Sequence, residues 1–318
     1  MKRGCVIGYD INEKGCQISY YDDSMEEPDT MMASSNNYLI PLVLGYFKDR
    51  WVFGKEAKRL AVVGEDCTET DLYGKAKRRE KVSLAGKTYD AVWLLAKYIS
   101  LTLQDFENIQ YLTFTTPETD VDMAKMLKGI GQHIGVDKEI INVQDYKESF
   151  CQYMIFQPKE LWQYESALFY CDEDRIKAYM LRRLRVDASH GMNSFVTVDE
   201  VANAQRKELE ALYPIMNKEK SPDESFKSMI ENVFEKKVIS SVYLTGEGFE
   251  KNWYPNSLRV LCNGRRAFMG NNLYSKGACY KSIRKCEPND DGPIYLDETK
   301  LTERICLRMR VDGQEMWY

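Results

Sequence analysis

The chain has 318 residues, of which 44% are hydrophobic and 29% are charged, and its formal net charge at pH 7 is −5. This composition is typical of a soluble globular protein with one large or two medium domains. The acidic balance argues against general nucleic-acid binding, which usually needs a basic surface. No apolar run approaches the roughly 20 residues of a membrane span, and no secretory signal is visible, so we predict a cytoplasmic protein.

Cysteine and histidine usage excludes several kinds of site. The nine cysteines are scattered and contain no Cys-x-x-Cys pair, which predicts reduced thiols and argues against a zinc module. His133 and His190 are the only histidines, so His-rich metal sites and most Ser–His or Cys–His triads lack material. The densest basic run, residues 75–81, is interpreted as a solvated surface loop.

Residues 4–21 predict an N-terminal β-hairpin. A short apolar run ends in Asp10, a polar turn carries Asn12 and Gly15, and the chain returns through an alternating segment. A carboxylate at the exit of a buried strand costs free energy unless a charged or hydrogen-bonding group covers it. Asp10 is therefore either a functional carboxylate or an ordinary cap of the turn.

Strands and helices then alternate through the first half, which predicts an α/β architecture. Strand-like stretches are residues 39–47, 51–53, 81–87, 109–114 and 140–143. Helical patterns begin at Gly54 and cover residues 90–106, 121–134 and 145–155, with Asp120 as the cap of the third. Residues 62–81 are predicted to be irregular.

The second half repeats this coarse order, starting near Trp162. A second hairpin is predicted over residues 166–186, with a polar tip at residues 171–174. Further strands are predicted at residues 193–197, 239–244 and 258–262. Helices are predicted at residues 198–214, 222–237 and 268–281. From residue 287 a Pro/Asn/Asp/Gly-rich linker leads to a weakly alternating stretch, residues 301–318, typical of a small β element.

Five sequence pieces occur in an order that resembles the actin-like ATPase superfamily. They are Gly8-Tyr9-Asp10, Pro41-Leu42-Val43 followed by Trp51-Val52-Phe53-Gly54, Tyr111-Leu112-Thr113-Phe114-Thr115-Thr116-Pro117-Glu118, Val242-Tyr243-Leu244-Thr245-Gly246-Glu247-Gly248-Phe249, and Gly277-Ala278. The nearest resemblance is to the nucleotide-binding domain of the heat-shock-70 chaperones and to the bacterial relatives MreB and ParM. It implies an α/β fold of two ribonuclease-H-like lobes around a central cleft. The first lobe would span residues 1–160 and the second 161–286, with 287–318 as the linker and the start of a C-terminal β element.

The resemblance also implies a site for ATP or ADP with Mg²⁺. Asp10 and Asp145 would be the catalytic carboxylates, and Asp10 and Asp172 would hold the metal. Residues that would contact the cofactor lie in both hairpins and in the turn that matches the adenosine motif: Gly8, Asn12, Gly15, Asp172, Gly246, Glu247, Gly248, Phe249 and Gly277.

The phosphate loops depart from the superfamily pattern. Asn12 and Glu13 replace the expected small residues, and the tip at residues 171–175 has three carboxylates and no glycine. Glycine backbone cradles phosphates best, so we expect slow hydrolysis or none. Two hypotheses follow: a nucleotide-binding protein that acts by lobe closure, or a degenerate actin-like scaffold that binds a protein partner without nucleotide. A sugar or acetate kinase is a weaker third, because no substrate-binding insertion stands out.

Overall fold

Two mixed β-sheets with helices packed around and between them form the protein, seen here in a computed structural model. The structure describes residues 4–34, 37–63, 67–184, 194–205, 221–286 and 292–297, with the backbone of 308–311 and 314–317. The sheets lie in two lobes, which confirms the predicted α/β class. No helix in these described ranges is long and apolar enough to cross a membrane.

The first half of the described chain has eleven strands and five helices, in the predicted alternation. They are β1 (Cys5–Ile11), β2 (Gly15–Tyr21), β3 (Asp29–Thr30), β4 (Ile40–Pro41), β5 (Leu44–Phe47), β6 (Arg50–Phe53), α1 (Gly54–Val63), β7 (Thr68–Glu69), α2 (Leu72–Lys77), β8 (Lys81–Leu84), β9 (Lys87–Asp90), α3 (Ala91–Thr102), β10 (Ile109–Thr116), α4 (Val121–His133), β11 (Ile141–Asp145) and α5 (Tyr146–Ile155).

The second half repeats the opening hairpin and then adds strands and helices. Its described elements are β12 (Glu165–Cys171), β13 (Arg175–Leu184), β14 (Phe195–Gln205), α6 (Pro222–Phe234), β15 (Ile239–Thr245), α7 (Pro255–Leu261), β16 (Arg266–Met269), α8 (Leu273–Cys286), β17 (Ile294–Tyr295), β18 (Arg308–Val311) and β19 (Gln314–Trp317). The last two strands pair as an antiparallel hairpin, within the stretch predicted to form a small β element.

The two large sheets share one strand order. The first runs β11-β10-β1-β2-β3, with β4 also on β2, and the second runs β16-β15-β12-β13-β14-β17. In each sheet the first hairpin strand lies at the centre, antiparallel to its hairpin partner and parallel to a strand that follows a helix. The duplication seen in the sequence is therefore a duplication of sheet topology.

The two faces of the first sheet are chemically different. Its outer face is apolar: Ile7, Tyr9 and Ile11 are fully buried in a core shared with helices α3 and α4. Its inner face meets α5 and α8 through hydroxyl groups. The paired side chains are Ser19 with Ser275 at 2.8 Å, Thr113 with Ser282 at 2.7 Å and Thr115 with Ser149 at 2.7 Å. Small polar side chains thus bring helices and sheet together closely while satisfying each other's hydrogen bonds.

Helix α8 crosses both β1 and α5 at glycines. A Cβ atom on Gly8 would lie 2.1 Å from the Ser275 carbonyl oxygen, and one on Gly277 would lie 2.0 Å from the Ser149 carbonyl oxygen. Only glycine permits such approaches of one backbone to another. The second sheet packs on α5 and α8 through larger apolar side chains, including Phe150, Leu168 and Tyr243.

Three sequence predictions of local structure were wrong. Residues 62–81 are not irregular throughout, because β7 pairs with β5 and helix α2 packs beside α3. Residues 198–205 are strand rather than helix, since β14 pairs along β13 and buries Val196 and Val198. Tertiary strand pairing overrides local helix preference there; the remainder of that predicted helix, residues 206–214, lies outside the described residues.

The third wrong prediction is the strand over residues 258–262, which lie within or just after helix α7. Pro255 opens this helix, and the Asp223 carboxylate accepts hydrogen bonds at 2.8 Å from the backbone N–H groups of Asn256 and Ser257. The local sequence does not reveal the start of this helix, because the capping carboxylate comes from another helix, α6, rather than from the adjacent residues.

We predict that Gly277→Ala destabilises the protein, since its methyl group must displace backbone of α5. The free energy of unfolding should fall by about 1–3 kcal/mol, measured by chemical denaturation. Gly129→Ala in helix α4 is the matched control, because nothing lies within 4 Å of an added Cβ there. That control should raise stability by about 0.5–1 kcal/mol. Equal stability of the two variants would contradict the proposed close contact.

Candidate functional site

The carboxyl ends of the central strands in each sheet bring the predicted site residues to two edges. Asp10 lies near the end of β1 and Asp145 at the end of β11, with Thr115 and Thr116 of β10 between them. In the second sheet, β12 ends at Cys171 and β15 at Thr245, and the turn with Gly246 follows. Ligands of open α/β sheets bind at such edges, so these two edges form the candidate site.

Asp10 is buried, with 3% of its surface exposed, and it carries one hydrogen bond from a tyrosine. The Tyr146 hydroxyl donates to Asp10 Oδ1 at 2.7 Å, and Asn12 Nδ2 donates to the same hydroxyl at 2.9 Å. Burial raises the pKa of Asp10 to about 7, although the bond from Tyr146 opposes that rise. A carboxylate in this position is costly when ionised.

Two tyrosine rings stack beside Asp10. Tyr146, at the start of α5, lies on Tyr274, in the first turn of α8, with ring centroids 3.7 Å apart and planes 7° from parallel. Tyr170 of β12 extends the contact, with its ring centroid 6.4 Å from that of Tyr274. The Tyr274 hydroxyl is buried without a hydrogen-bond partner among the described residues. The space between the two hairpins is therefore filled by aromatic rings.

An ion pair joins the two lobes at the surface near the tyrosine stack. Lys14, in the tip of the first hairpin, pairs with Glu247 in the turn after β15. Both side chains are substantially exposed to solvent, so the pair contributes little free energy by itself. The pair shows that the predicted phosphate loop and the predicted adenosine turn lie against each other.

The tip of the first hairpin is stabilised by its own side chains. Asn12 Oδ1 accepts hydrogen bonds from the backbone N–H groups of Lys14 at 2.9 Å and Gly15 at 3.3 Å. A Cβ on Gly15 would lie 2.4 Å from the Ile40 carbonyl oxygen, so this glycine allows β4 to pair with β2. The backbone N–H groups of Asn12, Lys14 and Gly15 therefore all donate to acceptors within the tip.

The second hairpin tip and the turn after β15 support each other. Asp172 Oδ1 accepts from the backbone N–H groups of Asp174 at 2.8 Å and Arg175 at 2.7 Å. Gly246 has a φ of 99°, and a Cβ there would lie 2.2 Å from the Cys171 carbonyl oxygen. A Cβ on Gly248 would lie 2.3 Å from Cys171 Sγ. These two glycines therefore permit a tight contact within the second lobe.

The predicted site residues thus fall into groups. Asp10 and Asn12 meet at Tyr146, and Glu247 reaches the same region through Lys14. Asp145 caps α5 by accepting from the Glu148 N–H at 2.8 Å, and burial raises its pKa. The other predicted residues pack elsewhere: Gly8 and Gly277 at α8, Gly15 at β4, Asp172, Gly246 and Gly248 at the second tip, and Phe249 in the apolar core beside Phe226 and Trp253.

Tyr146, Tyr170 and Tyr274 were not predicted as site residues. Tyr146 directly follows Asp145 at the start of a predicted helix, so the sequence is consistent with a position near the sheet edge. Nothing in the sequence indicates that Tyr146 stacks on Tyr274, because the two residues are far apart in the chain and meet only through tertiary packing. Tyrosines in apolar surroundings are ordinarily core residues.

The residues present do not fit a magnesium nucleotide in this closed arrangement. Asp10 Oδ1 accepts a hydrogen bond from Tyr146, and Asp172 Oδ1 accepts two from backbone N–H groups. Aromatic rings, rather than backbone N–H groups, lie between the hairpins. Among the residues that the structure describes, no group of three His, Cys, Asp or Glu side chains is placed to hold a metal ion.

Fold and site together define an α/β protein of two lobes whose hairpins meet across a tyrosine contact. The family described as "Family of unknown function (DUF5716) C-terminal" matches residues 27–298, and the chain belongs to that family. No curated protein matched the chain.

We predict that Asp10→Asn stabilises the protein at high pH. Because the folded-state pKa of Asp10 is near 7 and its ordinary value is 3.8, the native state favours the neutral form. That preference contributes fully below about pH 4 and is lost as the pH rises through 7. At pH 8 the variant should therefore exceed the wild type by about 1–4 kcal/mol in unfolding free energy.

The measurement is chemical denaturation at pH 8 and pH 4.5, with the exposed Asp105→Asn as the control. The advantage of Asp10→Asn should shrink markedly at the lower pH, whereas the control should match the wild type at both. A gain that is equal at the two pH values would show that ionisation of Asp10 is not its source.

Proposed function

We propose that this protein is a degenerate member of the actin-like ATPase superfamily and acts as a scaffold for a protein partner, without using nucleotide. The fold part of the proposal is supported by the shared strand order of the two sheets. Each has three antiparallel strands followed by two strands parallel to the first, as a ribonuclease-H-like lobe requires. The crossing of α8 over β1 and α5 supports a fixed relation between the lobes.

The observation that carries the functional part is the stack of Tyr146 on Tyr274. It lies over Asp10, where the superfamily resemblance would place the phosphates and Mg²⁺. Both rings are almost fully buried, so opening this space requires exposure of aromatic surface as well as separation of the hairpins. A protein that has lost its phosphate site but kept two packed lobes retains surfaces suited to binding other proteins.

Nucleotide binding with lobe closure is the second candidate, and one observation favours it. A buried carboxylate with a pKa near 7 costs stability, and such costs are found mainly where function needs the group. In this candidate the lobes first open and Tyr274 moves away, which frees Asp10 for a metal and its water. ATP or ADP would then be the cofactor and hydrolysis would be slow.

Isothermal titration calorimetry with Mg-ATP and Mg-ADP separates the two candidates. The scaffold proposal predicts no binding at millimolar nucleotide, because the stacked tyrosine rings take the space beside Asp10 that the phosphates would need. Binding that disappears in Asp10→Ala would overturn it and support the second candidate. Thermal unfolding of both proteins in the same buffer, without nucleotide, checks that the variant is folded.

A further inference from the structure

A hollow of about 560 Å³ lies at the opposite edge of the second sheet from the tyrosine stack. Three short segments line it: residues 163–165, 182–184 and 236–238. The first precedes or begins β12, the second ends β13 and the third precedes β15. Backbone bonds fix these walls together, since the Glu165 N–H donates to the Val238 carbonyl oxygen at 3.2 Å.

Each wall of the hollow exposes one large apolar side chain. The exposed fractions are 51% for Tyr164, 40% for Leu184 and 63% for Val238. Single exposed apolar residues are common on protein surfaces, but three around one concave site are a feature of binding surfaces. Their separate origins in three segments make the cluster a property of the fold rather than of one sequence run.

The same hollow is basic, although the whole chain has a net charge of −5. Its lining has four cationic side chains and one carboxylate, Glu165. Arg182 pairs with Glu165 at 3.0 Å and with Asp199 at 3.2 Å, so these two carboxylates more than offset its charge. Arg183 lies over the ring of Trp162, 5.7 Å from its centroid, and has no carboxylate partner among the described residues. Cations whose charge is not internally cancelled attract an anionic partner.

Two lysines complete the basic rim. Lys237 Nζ donates to the Val233 carbonyl oxygen at 2.6 Å, a bond that holds the amine in place without cancelling its charge. Lys236 Nζ lies 3.3 Å from a carboxylate oxygen of Glu235, and both side chains are largely exposed, so solvent screens the pair. The rim therefore presents cations next to the apolar side chains.

The corresponding hollow on the first sheet has the opposite charge. It is about 510 Å³, lies beside the start of β1 and the end of β2, and is lined by carboxylates that include Asp22, Asp29, Asp105 and Glu107. The two hollows occupy topologically equivalent positions in two sheets of the same strand order. The positive charge is therefore a property of the hollow in the second lobe and is not shared by the equivalent sheet edge of the first lobe.

We infer that the basic hollow of the second lobe is a docking site for an acidic protein segment with apolar side chains. This inference rests on the proposed scaffold role, to which it adds the partner's chemistry. The three apolar walls supply a contact that a polyanion such as nucleic acid does not use, and among the described lining residues Tyr164 is the one aromatic ring available for base stacking. An acidic, amphipathic segment uses both the charges and the apolar surface.

Fluorescence anisotropy with labelled synthetic peptides of about 12 residues tests the inference. The probe alternates Glu and Leu; one control replaces Glu by Lys and another replaces Leu by Ser. A labelled single-stranded oligonucleotide tests the competing polyanion. At an ionic strength of about 0.05 M, where charge attraction is only partly screened, the Glu/Leu peptide should bind most tightly.

Matched variants assign the binding to the hollow. Arg183→Glu should weaken binding of the Glu/Leu peptide by about tenfold or more, and Val238→Ser should weaken it by about threefold or more. The controls are Lys87→Glu in the exposed β8–β9 hairpin and Val121→Ser, a similarly exposed valine at the start of α4. Neither control should change the affinity by more than about twofold.

Three results of the binding assays would overturn the inference: no binding of the Glu/Leu peptide at millimolar concentration, equal effects of the hollow and control variants, or preference for the oligonucleotide. Self-association is tested by light scattering after gel filtration. A dimer that dissociates in Arg183→Glu would assign the hollow to a second copy and so reject a separate partner. The nucleotide titration is independent, because Asp10 and the hollow lie at opposite edges of their sheets.

Discussion

The close crossing of α8 over β1 and α5 is the constraint on which the rest of the structure depends. Gly8 and Gly277 remove the side chains that would otherwise separate the three backbones, since a Cβ on either would come within about 2.1 Å of a carbonyl oxygen. Hydroxyl pairs such as Ser19 with Ser275 then satisfy the polar groups of the thin interface. Because α8 directly follows β16 of the second sheet and packs on β1 of the first, this crossing fixes the position of one sheet relative to the other.

The tyrosine contact is a consequence of that crossing. Once α8 lies across β1, its first turn carries Tyr274 to the carboxyl end of the strand, beside Asp10. Tyr146, which begins α5, fills the remaining space and donates to the Asp10 carboxylate. One hydrogen bond offsets only part of the desolvation, and the pKa of Asp10 rises to about 7 for that reason. The helix packing that gives the lobes their arrangement therefore also makes ionisation of Asp10 unfavourable.

The elements that could be predicted from the sequence are those whose local residue pattern matches the structure they adopt in the fold. The first hairpin, the helix capped by Asp120 and the second hairpin followed from alternation, turn residues and helix periodicity. The strand over residues 198–205 and helix α7 could not, because pairing with β13 and capping by Asp223 are contacts between distant segments. The candidate site divides in the same way: Asp10 stood out as a carboxylate at a strand end, whereas Tyr274 acquires its position only from the helix crossing.

The contact of α8 with the first sheet and the contact at the hairpin tips differ in how readily they separate. Its contact with the first sheet combines close backbone approach at Gly8 with buried hydroxyl pairs to β2 and β10, so sliding it would leave several polar groups unsatisfied. At the hairpin tip the lobes are joined by one ion pair, Lys14 with Glu247, and both side chains are already substantially exposed, so its loss would leave these two charges in solvent. Any opening of the lobes should therefore begin at the hairpin tips and leave the α8 crossing intact as a hinge. That order keeps the hollow of the second lobe unchanged, since its three walls belong to one sheet and move together.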